Sequence, residues 1–155
     1  MEITNLSVER VDAVFGGTEL LLDLPHNTYE QLSGGGVIIR KGSVRMMPGQ
    51  VSILPSHMSG DVVRIRAKER VGEVLNSMSH GTGRAMSTSE CKPFADEYDF
   101  ASLRRSVLIP FGVENSSLRT DGPFTYRDLD QCLGLIHEYV DVVVRFGVVG
   151  YMGHL

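Results

Sequence analysis

Cysteine is scarce in this sequence, and it has neither a long apolar run nor an excess of basic residues. The two cysteines, Cys91 and Cys132, show no pairing signature, and no basic-then-apolar leader opens the chain. We therefore expect a protein of the reducing cytoplasm rather than a secreted one. No apolar run approaches the roughly 20 residues that a membrane span requires, which predicts a soluble protein without a membrane partner.

The net charge of −4 excludes a general electrostatic field that attracts nucleic acid, so any RNA contact must come from a local basic patch. A hydrophobic content of 42% with 22% charged residues is ordinary for a folded protein of 155 residues. No internal repeat, low-complexity tract or linker is evident. These features predict a single domain, or a portion of one, over residues 1–155.

Short β-branched segments between glycine- and proline-containing loops predict strands. The predicted strands are residues 20–24, 37–40, 51–54, 62–66 and 106–109. Helical spacing of apolar residues predicts a helix over residues 3–15, ended by Gly16 and Gly17, and a long carboxy-terminal helix over residues 126–146. The fold class is α+β, with short mixed strands packed against a few helices.

The most informative stretch is residues 79–84 (SHGTGR), where a histidine precedes two glycines and an arginine. Glycines spaced by one residue let backbone N–H groups approach an anion closely, and an adjacent arginine can neutralise a phosphate. An imidazole can attack phosphorus or carry a proton. A turn with an incidental histidine is the alternative interpretation.

Residues 23–27 (DLPHN) bring a histidine and an asparagine to the end of the predicted strand 20–24. A strand end is a rigid place from which to present an imidazole to a metal, with the carboxamide orienting a neighbouring ligand. Because a transition-metal site needs three or more ligands, a lone histidine is more often a hydrogen-bonded structural residue.

Two basic segments could contact the phosphate oxygens of a polynucleotide. Residues 40–45 (RKGSVR) place three cations within six positions, and Arg64 and Arg66 share one face of a predicted strand. A solvent-exposed strand surface is the alternative for both segments.

In their order along the chain, these pieces resemble the tRNA-splicing ligase family RtcB, read from the middle of the family sequence to its end. The matching segments are the His-Asn pair, RKGSVR, ILPSHM at residues 53–58, SHGTGRAMS at residues 79–87 and FTYRDLD at residues 124–130. The HGxGRxMS pattern is specific when RKG precedes it at this distance, and FTYRDLD is a further independent match. The resemblance implies a partial RtcB-like fold, the carboxy-terminal part of the family's catalytic domain.

The resemblance implies RNA end joining, as in tRNA splicing and RNA repair. In that family a histidine takes GMP from GTP and passes it to an RNA 3′-phosphate, and a 5′-hydroxyl then attacks the activated end, with manganese assisting. Ends with a 2′,3′-cyclic phosphate are also opened. By position, His80 stands at the guanylated histidine, and His26 stands at a manganese ligand beside the nucleotide.

The resemblance also assigns further contacts by position. The residues placed at the nucleotide are His26, Asn27, Pro55, Ser56, His57, Met58, His80, Gly81, Thr82, Gly83 and Tyr126. Among them, Tyr126 falls near the guanine, and residues 81–83 form a turn close to the phosphates. Arg84 would face phosphate, and Lys41 would help to hold RNA.

Parts of the family's site are missing from this sequence. The family's manganese pair is held by an aspartate, a cysteine and three histidines, and all but one lie upstream of the stretch represented here. We therefore expect the isolated chain to bind metal poorly. In the pocket, His57 replaces a small polar residue, Val62 a common serine and Thr88 an arginine, and Gly153 stands at the position of the family's closing lysine.

Three interpretations remain open. The chain is part of a ligase that becomes active with a second polypeptide supplying the missing ligands, or it is a non-catalytic descendant that keeps the fold as an RNA- or nucleotide-binding module. The altered pocket residues favour the second. The third is a gene remnant whose exposed apolar half-core leads to self-association.

Overall fold

Antiparallel strands and short helices make up the computed structural model, which describes residue 9 and residues 11–13, 16–17 and 19–151. The strands are β1 (Asn27–Gln31), β2 (Val37–Lys41), β3 (Ser43–Arg45), β4 (Val51–Pro55), β5 (Val62–Ala67), β6 (Ser77–Ser79) and β7 (Val140–Phe146). They form two two-stranded sheets, β1–β2 and β3–β6, and a three-stranded sheet in the order β4–β5–β7. The described part is therefore mixed α+β.

The helices are short. They are α1 (Cys91–Glu97), α2 (Phe100–Ser106), α3 (Asn115–Leu118) and α4 (Leu129–Ile136), with 3-10 turns at Glu69–Val74 and Pro123–Thr125. Side-chain caps fix where two of them begin, because Asp99 accepts from the Ser102 amide at 2.9 Å and Asp128 from the Gln131 amide at 2.8 Å. Within the described ranges, no helix is both long and apolar enough to cross a membrane.

Three of the five predicted strands are confirmed as β2, β4 and β5. In β5, Val63 and Ile65 are buried while Arg64 and Arg66 are exposed, as period-two alternation requires. The expectation that these two arginines share one outward face is therefore confirmed.

The other two predicted strands are wrong. Residues 20–24 form no strand and pair with none among the described residues, and the side chain of Leu21 is 82% exposed. The His-Asn pair therefore opens β1 instead of ending a strand. Ser106 is the last residue of α2, and in the residues 107–109 that follow it Leu108 forms only an isolated bridge to Gly150.

The predicted long carboxy-terminal helix is also wrong, because α4 ends at Ile136 and the chain continues as β7. The apolar stripe predicted to pack on the strands was Leu129, Leu133, Ile136, Val140 and Val144. Leu129, Leu133 and Val140 are buried, Val140 from a strand that pairs with β5, whereas Val144 is 38% exposed. The consecutive valines at residues 142–144 are β-branched and favour a strand over a helix. Pairing with the edge of β5 then stabilises the strand. The same helical spacing predicts that Arg127, Asp130, His137, Glu138 and Asp141 face outward, and all five are exposed.

The amino-terminal helix is described only in part. Residue 9 and residues 11–13 are helical, and the Gly16 amide donates to the Asp12 carbonyl at 2.7 Å. Gly16 and Gly17 both have positive φ, which confirms the glycine stop. The rest of the predicted helix 3–15 lies outside the described residues, as does Gly153.

Two apolar clusters form the core. The first consists of Val44, Met46, Leu54, Val63, Ile65, Ala67, Val71, Met78, Leu129, Leu133 and Val140. The second consists of Met58, Ala95, Phe100, Leu103, Val107, Ile109, Val113 and Leu118. Strands β4 and β6 contribute to the first cluster, while Met58, just beyond β4, belongs to the second. The chain segment that follows β4 therefore passes from the first cluster to the second.

Candidate active site

His80 lies immediately after β6, and its imidazole stacks on that of His26. The two ring centroids are 4.7 Å apart and the ring planes differ by 9°. His26 immediately precedes β1, so the pair connects two separate sheets. The residue expected to be the nucleophile is thus in direct contact with the residue expected to bind metal.

A tight turn between β2 and β3 holds the histidine pair in place. The carbonyl of Gly42 accepts from the His80 amide at 3.3 Å, and the Ser43 amide donates to the His26 carbonyl at 3.2 Å. Gly42 has a φ of +68°, and a Cβ at this position would lie 3.3 Å from His80 Nε2. Glycine is required here because it combines a left-handed backbone with close approach to a ring.

The environment of His80 favours a neutral ring. Partial burial lowers the pKa of His80, and the neighbouring His26 lowers it further. Both effects disfavour the imidazolium form. A neutral imidazole keeps the nitrogen lone pair that a nucleophile needs.

His80 separates two cavities. The smaller, of about 170 Å³, has a mainly apolar lining and includes both histidines. The larger, which we call the main cleft, has a volume of about 640 Å³. Its lining consists of Pro55, Ser56, His57, Met58, Val62, His80, Gly81, Thr82, Gly83, Arg84, Tyr126, Val148, Gly150 and Tyr151. Every residue that the sequence placed at the nucleotide lines the main cleft, except His26 and Asn27.

The glycine turn at residues 81–83 is anchored to the end of β4. The amide of buried Thr82 donates to the Pro55 carbonyl at 3.1 Å, and a Cβ at Gly81 would lie 3.2 Å from the same oxygen. Gly83 has a φ of +73° and turns the chain back toward the cleft wall. The turn therefore has a fixed position relative to His80.

Arg84 makes its contacts within the protein. Its Nη1 donates to Asp121 Oδ1 at 2.8 Å, its Nη2 to the Thr120 carbonyl at 2.6 Å, and its Nε to the Met86 carbonyl at 3.1 Å. The Tyr126 hydroxyl donates to the same Asp121 oxygen at 3.2 Å, and the guanidinium lies 5.8 Å from the centroid of the Tyr126 ring. Arg84 and Asp121 together fix Tyr126 in the cleft wall.

His57 lines both the main cleft and a neighbouring cavity of about 340 Å³. Its Nδ1 lies 3.4 Å from the Ser59 amide nitrogen, which can only donate. Nδ1 is then the acceptor, and the proton of the neutral ring resides on Nε2. Burial lowers the pKa of His57, with Asp61 partly opposing the effect.

Asn27 and Lys41 lie outside the main cleft. They border a separate cavity of about 370 Å³ on the β1–β2 hairpin, together with Tyr29 and Ile39. The side-chain oxygen of Asn27 accepts from the Gly42 amide at 3.3 Å, so Asn27 reaches His80 only through the turn. Of the cations in residues 40–45, Arg40 and Arg45 both pair with Glu30.

The family model of tRNA-splicing ligase RtcB matches residues 1–152 of the chain. The chain belongs to the RtcB family. The match includes every residue that lines the main cleft and the smaller histidine cavity, so both cavities lie within the part of the chain that matches this RNA ligase family. Comparison with curated proteins found no match.

The described residues do not fit the manganese site of the RtcB family by themselves. In the described ranges, no three histidine, cysteine, aspartate or glutamate side chains converge as metal ligands would. His26 and His80 contact each other, but two imidazoles are too few donors for a manganese centre. No chemical step in this chain is therefore assigned to a metal.

Asp121 and Tyr151 are site residues that sequence reasoning missed. Tyr151 lines the main cleft and packs on the second apolar cluster, and Asp121 anchors both Arg84 and Tyr126. Neither lies in one of the segments on which the resemblance to the family was based. Tyr151 follows β7, and the wrong prediction of a long helix concealed its return to the cleft.

Proposed function

We propose that this chain carries the guanylation site of an RtcB-type RNA ligase, with His80 as the residue that receives GMP from GTP. The complete reaction joins an RNA 3′-phosphate, or an opened 2′,3′-cyclic phosphate, to a 5′-hydroxyl end. The observation that carries the proposal is the position of His80. Its ring lies at the edge of a nucleotide-sized cleft, beside the glycine turn at residues 81–83, and partial burial and the neighbouring His26 lower its pKa.

The proposed chemistry begins with attack by a ring nitrogen of His80 on the α-phosphorus of GTP. The N–P bond forms as the P–O bond to the β-phosphate breaks, and pyrophosphate leaves. An oxygen of the RNA 3′-phosphate then attacks the same phosphorus, and the N–P bond breaks. Finally, the 5′-hydroxyl attacks the activated RNA phosphate, releasing GMP and a proton and forming a phosphodiester.

In the proposed complex, the residues of the main cleft have separate tasks. Tyr126 offers an aromatic face to the guanine, and the turn at residues 81–83 lies beside the phosphates. Ser56, His57 and Met58 border the rest of the nucleotide, with His57 presenting its Nε2–H as a donor. Manganese is a requirement of the complete enzyme, and the ligands that the described residues lack would come from a second polypeptide, with His26 contributing one imidazole.

A non-catalytic RNA- or nucleotide-binding module is the second candidate. It is favoured by one observation, namely that the main cleft is formed while the described residues contain no converging set of metal ligands. A module of this kind would bind GTP or RNA without forming a covalent adduct.

Mass spectrometry of the chain after incubation with GTP and manganese, together with the proposed second polypeptide, separates the two candidates. We expect a GMP adduct on the native chain and none on His80→Ala, because His80 directly precedes the glycine turn at residues 81–83 and lines the main cleft. His57→Ala and His137→Ala should still form it. His137 is a suitable control because it is exposed and lies just beyond α4.

The chemical stability of the adduct provides a second check. A phosphoramidate bond to histidine is labile in acid and stable in alkali. An adduct with this stability that persists in His80→Ala would contradict the assignment of the nucleophile, and nucleotide binding without any adduct on the native chain would favour the binding module.

A further inference from the structure

Two arginines border the glycine turn, and their surroundings differ. Arg84 donates to a carboxylate and two carbonyls, and its Nη2 also lies 3.3 Å from Cys91 Sγ. A guanidinium has five N–H donors, so at least four of its hydrogens are directed at protein atoms. Little of Arg84 remains to bind an external phosphate.

Arg127 is placed differently. Its backbone amide donates to the Gly83 carbonyl at 3.0 Å, and a Cβ built on Gly83 would lie 2.9 Å from Arg127 Nη1. The guanidinium therefore lies directly over the turn, and Arg127 is exposed. Within the described residues, its side chain makes no ion pair of the kind that holds Arg84.

The neighbouring carboxylates are already engaged. Arg127 lines the cavity of about 340 Å³ that shares Ser56, His57 and Tyr126 with the main cleft. Asp61 and Asp130 in the same lining both pair with Arg145, and Asp128 caps α4. The charge of Arg127 is therefore available to an incoming anion.

We propose that Arg127 and Gly83 form a phosphate-binding subsite at the seam between the two cavities, and that Arg84 is a positioning residue for Tyr126. The ligand is a phosphate group, carried either by the nucleotide or by the RNA strand. Arginine suits this role because its planar fork can donate two parallel hydrogen bonds to phosphate oxygens. Phosphate binding at Arg127 deepens the proposed function, yet it does not require that His80 react.

Titration of the chain with inorganic pyrophosphate, followed by ¹H–¹⁵N NMR, tests the subsite directly. We expect saturable shifts that are largest for the Gly83 and Arg127 amides. Arg127→Gln should weaken binding by about tenfold, the effect of losing a charge-assisted hydrogen bond at an exposed site. Arg127→Lys should recover part of the affinity. Arg105→Gln is the matched control, because Arg105 is an exposed arginine on α2 with only a 3.7 Å pair to Asp99.

The positioning role of Arg84 has its own measurement. Arg84→Lys keeps the charge but loses most of the hydrogen bonds to Asp121, Thr120 and Met86, so the ring signals of Tyr126 should shift. Arg127→Gln should leave those signals in place. Unchanged Tyr126 signals in Arg84→Lys would contradict the positioning role.

Paired ligands identify the source of the phosphate. The ratio of affinities for GTP and guanosine, and the ratio for RNA with a 3′-phosphate and with a 3′-hydroxyl, each measure a phosphate contribution. Arg127→Gln should bring one of these two affinity ratios close to one. The ratio that changes identifies whether the nucleotide or the RNA carries the bound phosphate. Absence of pyrophosphate binding, or binding that Arg127→Gln leaves unchanged, would overturn the subsite. If pyrophosphate binds in an Arg127-dependent way but no GMP adduct forms, the proposed ligase chemistry is contradicted and the phosphate subsite is not.

Discussion

A side chain at position 42 would press against the His80 ring, so we expect Gly42→Ala to disturb the candidate nucleophile. Alanine at a φ of +68° costs roughly 1–2 kcal/mol in backbone strain, and its Cβ would be 3.3 Å from His80 Nε2. Gly49→Ala is a matched control, since Gly49 has a φ of +80° and nothing within 4 Å of the position of a Cβ.

Urea unfolding should show similar losses of stability for the two glycine variants, because both carry the same kind of backbone strain. Only Gly42→Ala should shift the ring signals of His80 in NMR spectra. Identical His80 signals in the native chain and Gly42→Ala would show that the turn does not hold the ring.

His57 should make the stability of the fold depend on pH. Burial lowers the pKa of His57, so the unfolded chain binds a proton at a higher pH than the folded chain does. The stabilisation from keeping the ring neutral is complete above the ordinary pKa of histidine and is lost as pH falls through it toward the lowered folded value. Urea unfolding from about pH 7.5 to about pH 5.5, which spans that ordinary pKa, should show a smaller loss for His57→Gln than for the native chain. Equal losses of stability in the native chain and in His57→Gln would show that His57 does not cause the pH dependence.

Single residues show which parts of the site were accessible to sequence reasoning. Residues 55–58 and 79–84 form continuous segments that match the RtcB family, so the resemblance implied that both lie at the nucleotide. The contact between His26 and His80 and the anchoring of Arg84 by Asp121 join residues far apart in sequence. No spacing rule predicts such pairs, because they depend on how the three sheets pack.

At the level of elements, buried Arg40 connects the β1–β2 hairpin to β6. Its guanidinium donates to Glu30 Oε2 at 2.7 Å, to Ser77 Oγ at 2.8 Å and to the Leu75 carbonyl at 2.9 Å, and the residue is 3% exposed. Arg40→Met should destabilise the chain by about 3 kcal/mol, because it leaves several partners of a buried cation unsatisfied.

Arg45 provides the control for this prediction, since it contacts the same Glu30 but has a half-exposed side chain. Arg45→Gln should change the unfolding free energy little, because exposed ion pairs contribute little. Equal stability losses for the Arg40 and Arg45 variants would contradict a structural role of Arg40. The sequence had offered both arginines as phosphate contacts, since their shared acidic partner, Glu30, was not apparent.

The helix predicted over residues 126–146 is in fact α4 followed by β7, and the difference has a specific physical cause. Residues 126–146 carry apolar side chains at helical spacing throughout, and the first half follows that pattern in α4. From Val140 onward most of the apolar residues are β-branched valines, and this segment pairs with β5 from Val62 to Ala67. Local spacing could not reveal this, because the pairing partner lies far away in sequence.

On the scale of the whole molecule, apolar side chains remain on two described sheet surfaces. Tyr29 and Ile39 face each other across the β1–β2 hairpin at 66% and 78% exposure, and Ile53 and Val144 are partly exposed on the three-stranded sheet. Surfaces of this kind are typical of interfaces. They are compatible with the proposed need for a second polypeptide and with self-association of the lone chain.

We propose that this chain supplies the guanylated histidine but too few metal ligands for the reaction. Manganese is the weakest binder of the common divalent transition metals, so it depends most on a complete site. His26 and His80 are the only imidazoles in mutual ring contact among the described residues, and no third donor joins them.

Calorimetric titration of manganese into the chain alone, and into the chain combined with a polypeptide carrying the family's upstream aspartate, cysteine and two histidines, tests this claim most directly. Each sample is then assayed for joining of an RNA with a 3′-phosphate to one with a 5′-hydroxyl. We expect neither tight binding nor joining with the chain alone, and both with the pair. Tight manganese binding and RNA joining by the lone chain would contradict the account, and would mean that His57, His137 or His154 provides replacement ligands.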